Sequence, residues 1–323
     1  MITLRQVEAV ATQTGFRADM VEKVLRLHDV LRRLTEHPMT EGVWLCKGGT
    51  ALNLLHLDVP RLSVDIDLNW VGSADVEEMK RRRPDFERAL LSCCERDGLT
   101  PRREPSEHAG GKFRLRYASV HGGTQNLEVD VNYVARVPLL EAADHLMRFP
   151  PNSDLRVPTL KLDELAAGKF AALVQRSAAR DTFDAAGLLE LQPDLIDRPD
   201  FRLAFLCFVG GGRSDVRDAR KPSAVLPPRI LQRDVEPLLR PVAGGGRPWE
   251  ADLAAWIEGT VSPALDRLLD WSAAERRFLD RLLDDGEIDA ETLHDDPAVQ
   301  ERIRKQPMLG WKARHVREHR RNA

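Results

Sequence analysis

Apolar and polar positions along the chain predict strands in its first half and little but helix in its second. Residues 3–14 and 17–34 carry the helical period. In the second stretch Val21, Val24, Leu25, His28 and Leu31 recur on one face, and His28 there reads as a satisfied core histidine. Gly42 to Cys46 is a short apolar run, predicted as a strand leading into a glycine turn. A short helix follows from Ala51 to Leu57. Asp65-Ile66-Asp67-Leu68 alternates with period 2, the mark of a strand. Residues 75–97 are helical and densely charged, with Pro84 expected to break or kink them. Residues 112–120 and 126–134 both alternate around His121-Gly122-Gly123-Thr124, which predicts a hairpin. In its second strand Glu128, Asp130 and Asn132 share one face, opposite Leu127, Val129, Val131 and Tyr133.

Prolines at 138, 150, 151 and 158 punctuate the middle and predict a boundary near residue 155. The two parts are then 1–155 and 156–323. In the second, 159–191 reads as helix, with Thr159 as N-cap and Asp163 and Glu164 in the first turns. Further helices are expected at about 249–258, 263–284 and 297–305, with Trp249, Trp256 and Trp271 as packing residues. Two loops, 210–228 and 241–248, each hold Gly-Gly-Gly-Arg and read as connectors. The fold class is α+β: a small mixed sheet, then a mainly helical C-terminal part.

Composition sharpens this only a little. With 323 residues, 42% hydrophobic and 31% charged, the chain is globular rather than disordered. A net charge of −3 argues against indiscriminate coating of nucleic acid and leaves room for local basic patches. Two are visible. Lys80 to Arg83 form a run. The stretch from Glu301 carries Arg302, Arg304, Lys305, Lys312, Arg314, Arg317, Arg320 and Arg321 around Trp311, His315 and His319, a mixture suited to RNA backbone and base stacking. Cys46, Cys93, Cys94 and Cys207 lack C-x-x-C spacing, and the adjacent Cys93 and Cys94, in a helical stretch, read as core thiols. No signal peptide and no apolar run of ~18 residues are present, so a soluble cytoplasmic chain without a membrane partner is expected.

The chemistry concentrates between Lys47 and Leu68. Gly48, Gly49 and Thr50 make a turn that lets backbone N–H groups approach a phosphate, and the helix behind it aims its positive end there. Asp65 and Asp67 share a strand face, where two carboxylates repel unless a cation lies between them. Mg²⁺ suits that role, because it keeps waters and substrate phosphates as its other ligands. A phosphate cradle followed by a carboxylate pair implies phosphoryl or nucleotidyl transfer. A third carboxylate, Asp130, supplies what a two-metal site needs. Strand alternation also places Ser63 with Asp65 and Asp67. Lys169, Arg176 and Arg180 share one face of a continuous helix and suit a triphosphate.

These residues carry a resemblance. Lys-Gly-Gly-Thr-Ala-Leu from Lys47 and Ser-Val-Asp-Ile-Asp-Leu from Ser63 resemble the polymerase-beta-like nucleotidyltransferase signature. More closely, they resemble the AbiEii/AbiGii toxin family. Glu164, Leu165 and Lys169 with Arg180, Asp181 and Asp184 match its second half-signature, and Pro307 to Lys312 extend the likeness toward the C-terminal end. Thr50 stands where many relatives have serine, and Val64 where an acidic residue is common.

The resemblance implies a toxin of a toxin–antitoxin pair that transfers NMP from NTP. Mg²⁺, or Mn²⁺ in its place, would lie on Asp65, Asp67 and Asp130. Lys47, Gly48, Gly49, Thr50, Ser63, Lys169, Arg176 and Arg180 would face the nucleotide. Lys169 and Asp184 are the lysine and last aspartate that relatives need for activity, with Lys161 a competing lysine. Similar mycobacterial MenT-type toxins add nucleotides to the 3′ end of tRNA, and some relatives are silenced by phosphorylation of a serine matching Ser63. The implied partners are NTP, tRNA and a cognate antitoxin. Two alternatives stand beside this reading: nucleotide transfer to a small molecule such as an aminoglycoside, and a nucleotide-binding regulator without catalysis.

Overall fold

A computed structural model describes residues 2–103, 110–176, 178–217, 224–240 and 252–322. The chain divides into two compact units. The first takes the chain up to Arg136, Ala142–Leu160 and a return segment from Glu236. The second takes Val137–Glu141, Lys161–Val235 and the C-terminal helices.

The first unit opens with α1 (Leu4–Thr14) and α2 (Ala18–Glu36). Thr3 caps α1 in a reciprocal capping box with Gln6, and Gly15 ends it in the left-handed conformation. Then come β1 (Trp44–Lys47), α3 (Gly48–Ala51) with a π-helical turn over Leu52–His56, β2 (Asp65–Trp70) and α4 (Val76–Arg96). The strands β3 (Thr100–Arg103), β4 (Gly110–Ala118), β5 (Thr124–Asn132), β6 (Ala143–Leu146) and β7 (Arg156–Thr159) complete the unit.

They form a seven-stranded mixed sheet in the order β3-β4-β5-β2-β1-β7-β6. β4 and β5 pair antiparallel, as the hairpin pattern predicts, while β2 runs parallel to β5 and β1 parallel to β7. Ile66, Leu68, Leu127, Val129, Val131, Phe113 and Leu115 are at most 1% exposed. With period 2, that burial sends Asp65, Asp67, Glu128 and Asp130 to the opposite face.

Two expectations change in this unit. α4 runs through Pro84 unbroken; Met79, Phe86 and Leu90 are buried on either side of the proline and hold the helix across it. The expected boundary at 155 falls before β7, which is hydrogen-bonded into the sheet beside β1, so this unit continues to Leu160. Thr159 therefore lies in a strand, where its hydroxyl donates to the Cys46 carbonyl (2.9 Å) instead of capping a helix.

The second unit contains α5 (Leu162–Arg176), α6 (Ala179–Leu191), α7 (Pro199–Gly210), α8 (Pro228–Asp234), α9 (Leu253–Leu268), α10 (Ala273–Asp280), α11 (Pro297–Arg304) and α12 (Pro307–Asn322). The helix expected over 159–191 is thus two helices. The break expected near residue 260 is absent, because α9 spans Pro263 with Ile257, Val261 and Leu265 buried along it. An aromatic ladder runs through the core: Phe170 meets Phe201 edge-on, Phe201 stacks on Phe205, and Phe205 stacks on Trp271. Trp256 packs on Phe183, so Trp256 and Trp271 both serve packing, as expected. Trp249 and the Gly-Gly-Gly-Arg of residues 244–247 lie outside the described residues. No described helix is long and apolar enough to cross a membrane.

Candidate active site

Register brings the first-unit carboxylates together. Parallel pairing sets Asp65 opposite Glu128 and Asp67 opposite Asp130. Antiparallel pairing sets Lys47 opposite Asp67, and Lys112 opposite Asp130. A row Lys112–Asp130–Asp67–Lys47 therefore crosses four strands, each step about 4.8 Å. Two carboxylates sit in the middle and one cation stands at each end.

The charges along this row are unequal in their surroundings. Glu128 is held by Lys112 Nζ and Arg114 Nε, both at 2.9 Å. The hydrogen bond from Lys112 keeps its carboxyl below the usual range against the opposing effect of burial. Asp130 is pushed the other way. Burial raises its pKa, the Lys47 charge opposes that rise, and the Asp67 charge adds to it. No salt bridge to Asp67 or Asp130 occurs among the described residues.

The donor set is all carboxylate oxygen, and its two central members repel. That fits a hard divalent cation such as Mg²⁺. Among the described residues no group of three or more His, Cys, Asp and Glu side chains forms a ready metal cage. Mg²⁺ does not require one, since it binds through one or two carboxylates together with water and substrate phosphates.

The glycine turn is built around this pair. Gly48 has φ +67°, and a Cβ there would lie 2.2 Å from Asp67 Oδ2. Only glycine satisfies both the left-handed backbone and the close approach of the carboxylate. At Gly49 a Cβ would lie 2.9 Å from Arg61 Nη2 and 3.0 Å from Ser63 Oγ. The buried Asn53 amide donates to the Gly49 carbonyl at 3.0 Å and steadies the turn. Helix begins at Gly48, three residues earlier than expected. The N–H groups of its first turn thereby lack intrahelical partners.

Thr50 and Ser63 differ from expectation. Thr50 is fully buried; its hydroxyl donates to the Asp65 carbonyl and lies 3.0 Å from Ser63 Oγ. The side chain clamps β2 to the turn rather than projecting toward a phosphate. Ser63 precedes β2 and is 6% exposed. It packs beneath the turn beside Thr50 rather than continuing the Asp65–Asp67 face. Arg61, 2% exposed and donating to the Leu62 carbonyl at 2.9 Å, was missed by sequence reasoning. Nothing in local periodicity marks an arginine for burial.

The other candidates lie in the second unit. Lys169 Nζ is 2.8 Å from Asp181 and 3.0 Å from Asp184. The three side chains are 11%, 5% and 0% exposed. Asp181 was not expected at a site, although its i,i+3 spacing from Asp184 puts both on one helix face. Arg180 starts α6 while Lys169 lies on α5, so the three cations do not share one helix. The side chain of Arg176, at the end of α5, lies outside the described residues. Lys161, the competing lysine, is an exposed partner of Asp200. Glu164 accepts from the N–H groups of Leu139 (3.1 Å) and Leu140 (2.9 Å), and burial pushes its carboxyl up to about 7.

Comparison with known proteins identifies the family. Residues 29–271 match the family described as "Nucleotidyl transferase AbiEii toxin, Type IV TA system". No curated protein matches the chain significantly. Among solved structures, MenT4, a nucleotidyltransferase toxin from Mycobacterium tuberculosis H37Rv, superposes with a TM-score of 0.56 at 20% identity, over 96% of this chain and 99% of that one. At that identity the match speaks for the fold. The family match covers most of the chain, and the chain belongs to the AbiEii nucleotidyltransferase toxin family.

Proposed function

We propose that this member of the AbiEii family, a nucleotidyltransferase toxin of a type IV toxin–antitoxin system, is a Mg²⁺-dependent enzyme. It transfers NMP from NTP to the 3′ end of tRNA, and so blocks aminoacylation and translation. One observation carries the reading: Asp67 and Asp130 stand opposite each other on adjacent parallel strands, with Gly48 of the turn packed against the Asp67 carboxylate.

Asp65, Asp67 and Asp130 would hold the cation. When bound, it supplies charge to the phosphoryl oxygens and the leaving pyrophosphate. The chain's own groups do the rest. The first-turn N–H groups from Gly48 to Thr50 bind the β- and γ-phosphates. The Thr50 hydroxyl keeps the turn fixed to β2. Lys47, opposite Asp67, limits the repulsion within the carboxylate pair. Asp130 helps to accept the proton of the attacking 3′-hydroxyl. The 3′-oxygen bonds to the α-phosphorus, the bond to the β-phosphate bridge breaks, and pyrophosphate leaves.

The test is incubation with each α-labelled NTP, Mg²⁺ and total RNA. Label in the tRNA band, lost with a chelator and in Asp67→Ala, is the expected result. Label transfer that persists at the wild-type rate in Asp67→Ala overturns the assignment.

A further inference from the structure

The strand next to Asp130 carries a row of cations. Along β4, Phe113, Leu115 and Tyr117 are buried at 1%, 0% and 2% exposure, while Lys112, Arg114 and Arg116 are exposed. Their cross-strand partners on β5 are Asp130, Glu128 and Asn126. The three cations therefore project from the carboxylate face of the sheet. They begin at Asp130 and recur about every 7 Å along the strand, two strand spacings (about 10 Å) from β2. Glu128 is the acid that meets Lys112 and Arg114. The Arg116 guanidinium donates to Thr124 Oγ1 at 3.3 Å.

Edge protection does not explain the row, because β4 is interior, with β3 on one side and β5 on the other. Cross-strand pairing explains part of it, since Glu128 meets both Lys112 and Arg114. It does not explain Arg116, which stands opposite Asn126 and makes no salt bridge among the described residues.

We propose that Lys112, Arg114 and Arg116 form an acceptor track. They hold the backbone phosphates of an RNA strand whose 3′ end reaches Asp65, Asp67 and Asp130. The proposal rests on the nucleotidyl-transfer reading above and adds the chemical class that the site admits. A polyanionic strand is attracted along the row. A polycationic acceptor such as an aminoglycoside is repelled by it. Glu128 keeps the first two side chains extended over the sheet until phosphates compete for them.

The test uses the full chain, deacylated total tRNA and α-labelled NTP. Arg114→Gln combined with Arg116→Gln should raise the KM for RNA about tenfold while the KM for NTP stays within about twofold. It should also lower the slope of log K against log salt by about 1.4, at roughly 0.7 per single-strand phosphate contact. Glu128→Gln, which frees two cations, should tighten RNA binding, a gain that misfolding cannot produce. Labelled tRNA with unchanged KM and salt slope in the double variant overturns the track and leaves nucleotidyl transfer standing. Labelling of an aminoglycoside in place of RNA, improved by the double variant, overturns the track and the RNA acceptor together and leaves nucleotidyl transfer standing; no label on any acceptor with the wild type overturns the transfer reading itself.

Discussion

The two ionic clusters of this chain are built on opposite principles. In the second unit Lys169 sits between Asp181 and Asp184 with its charge met in place and almost no solvent. In the first unit Asp67 and Asp130 are like charges on neighbouring strands, half-buried, with Lys47 and Lys112 one strand further out. A buried cluster whose opposite charges meet in place is sensitive to the loss of any member, because the remaining charges lose a partner. A cluster held apart from its counter-charge costs folding energy and is complete only with a ligand. The contrast sets up a test of which residues serve the fold and which the chemistry.

The sharpest way to break the contrast is Asp67→Ala. Nucleotide transfer should fall on the order of ten-thousandfold, while the urea midpoint holds or rises because repulsion with Asp130 is removed. A large fall in stability would place Asp67 with the structural clusters. Lys169→Ala should weigh chiefly on stability: a loss of about 3–5 kcal/mol in chemical denaturation, because two buried aspartates lose the ammonium between them. Lys161→Ala, which removes an exposed pair with Asp200, should cost about 0–1 kcal/mol. A larger effect at Lys161, on stability or transfer, would reverse the choice between the lysines.

Glu164 sharpens the contrast within the second unit, because backbone N–H groups hold it instead of a lysine. Its folded pKa of about 7 exceeds the model-compound value of 4.5, so the native state binds its proton more tightly than the unfolded chain. Stability from this group is full below about pH 4.5 and is lost as pH rises through about 7, roughly 3 kcal/mol in all. Glu164→Gln should flatten that stretch of the stability–pH profile; an unchanged slope would assign it to other groups. A moderate effect is expected at the clamp. Thr50→Val removes the hydroxyl's hydrogen bond to the Asp65 carbonyl and should cost about 1–2 kcal/mol, with a higher KM for NTP as the turn loosens from β2. An unchanged KM would show that the turn holds its shape without the hydroxyl.

Much of this was legible in the residues. Period-2 alternation placed Asp65 with Asp67, and Glu128 with Asp130, and it predicted the β4–β5 hairpin. The double glycine marked the turn. Helical period located α1, α2 and α4 to within a few residues. The errors fall where packing overrules local signals: Pro84 and Pro263 inside helices, Thr159 in a strand, Ser63 buried beneath the turn, and a helix break between Lys169 and Arg180.

By itself the sequence determined which faces its strands and helices present, because side-chain direction repeats with the local backbone geometry. Only the tertiary structure decided that Asp67 meets Asp130 across a parallel pair, that Lys169 is closed between two aspartates, and that β4 lays its cations beside the acids. Those pairings join segments far apart in the chain. Strand register and buried-charge partners are chosen by the packing of the whole unit, and no local period encodes them.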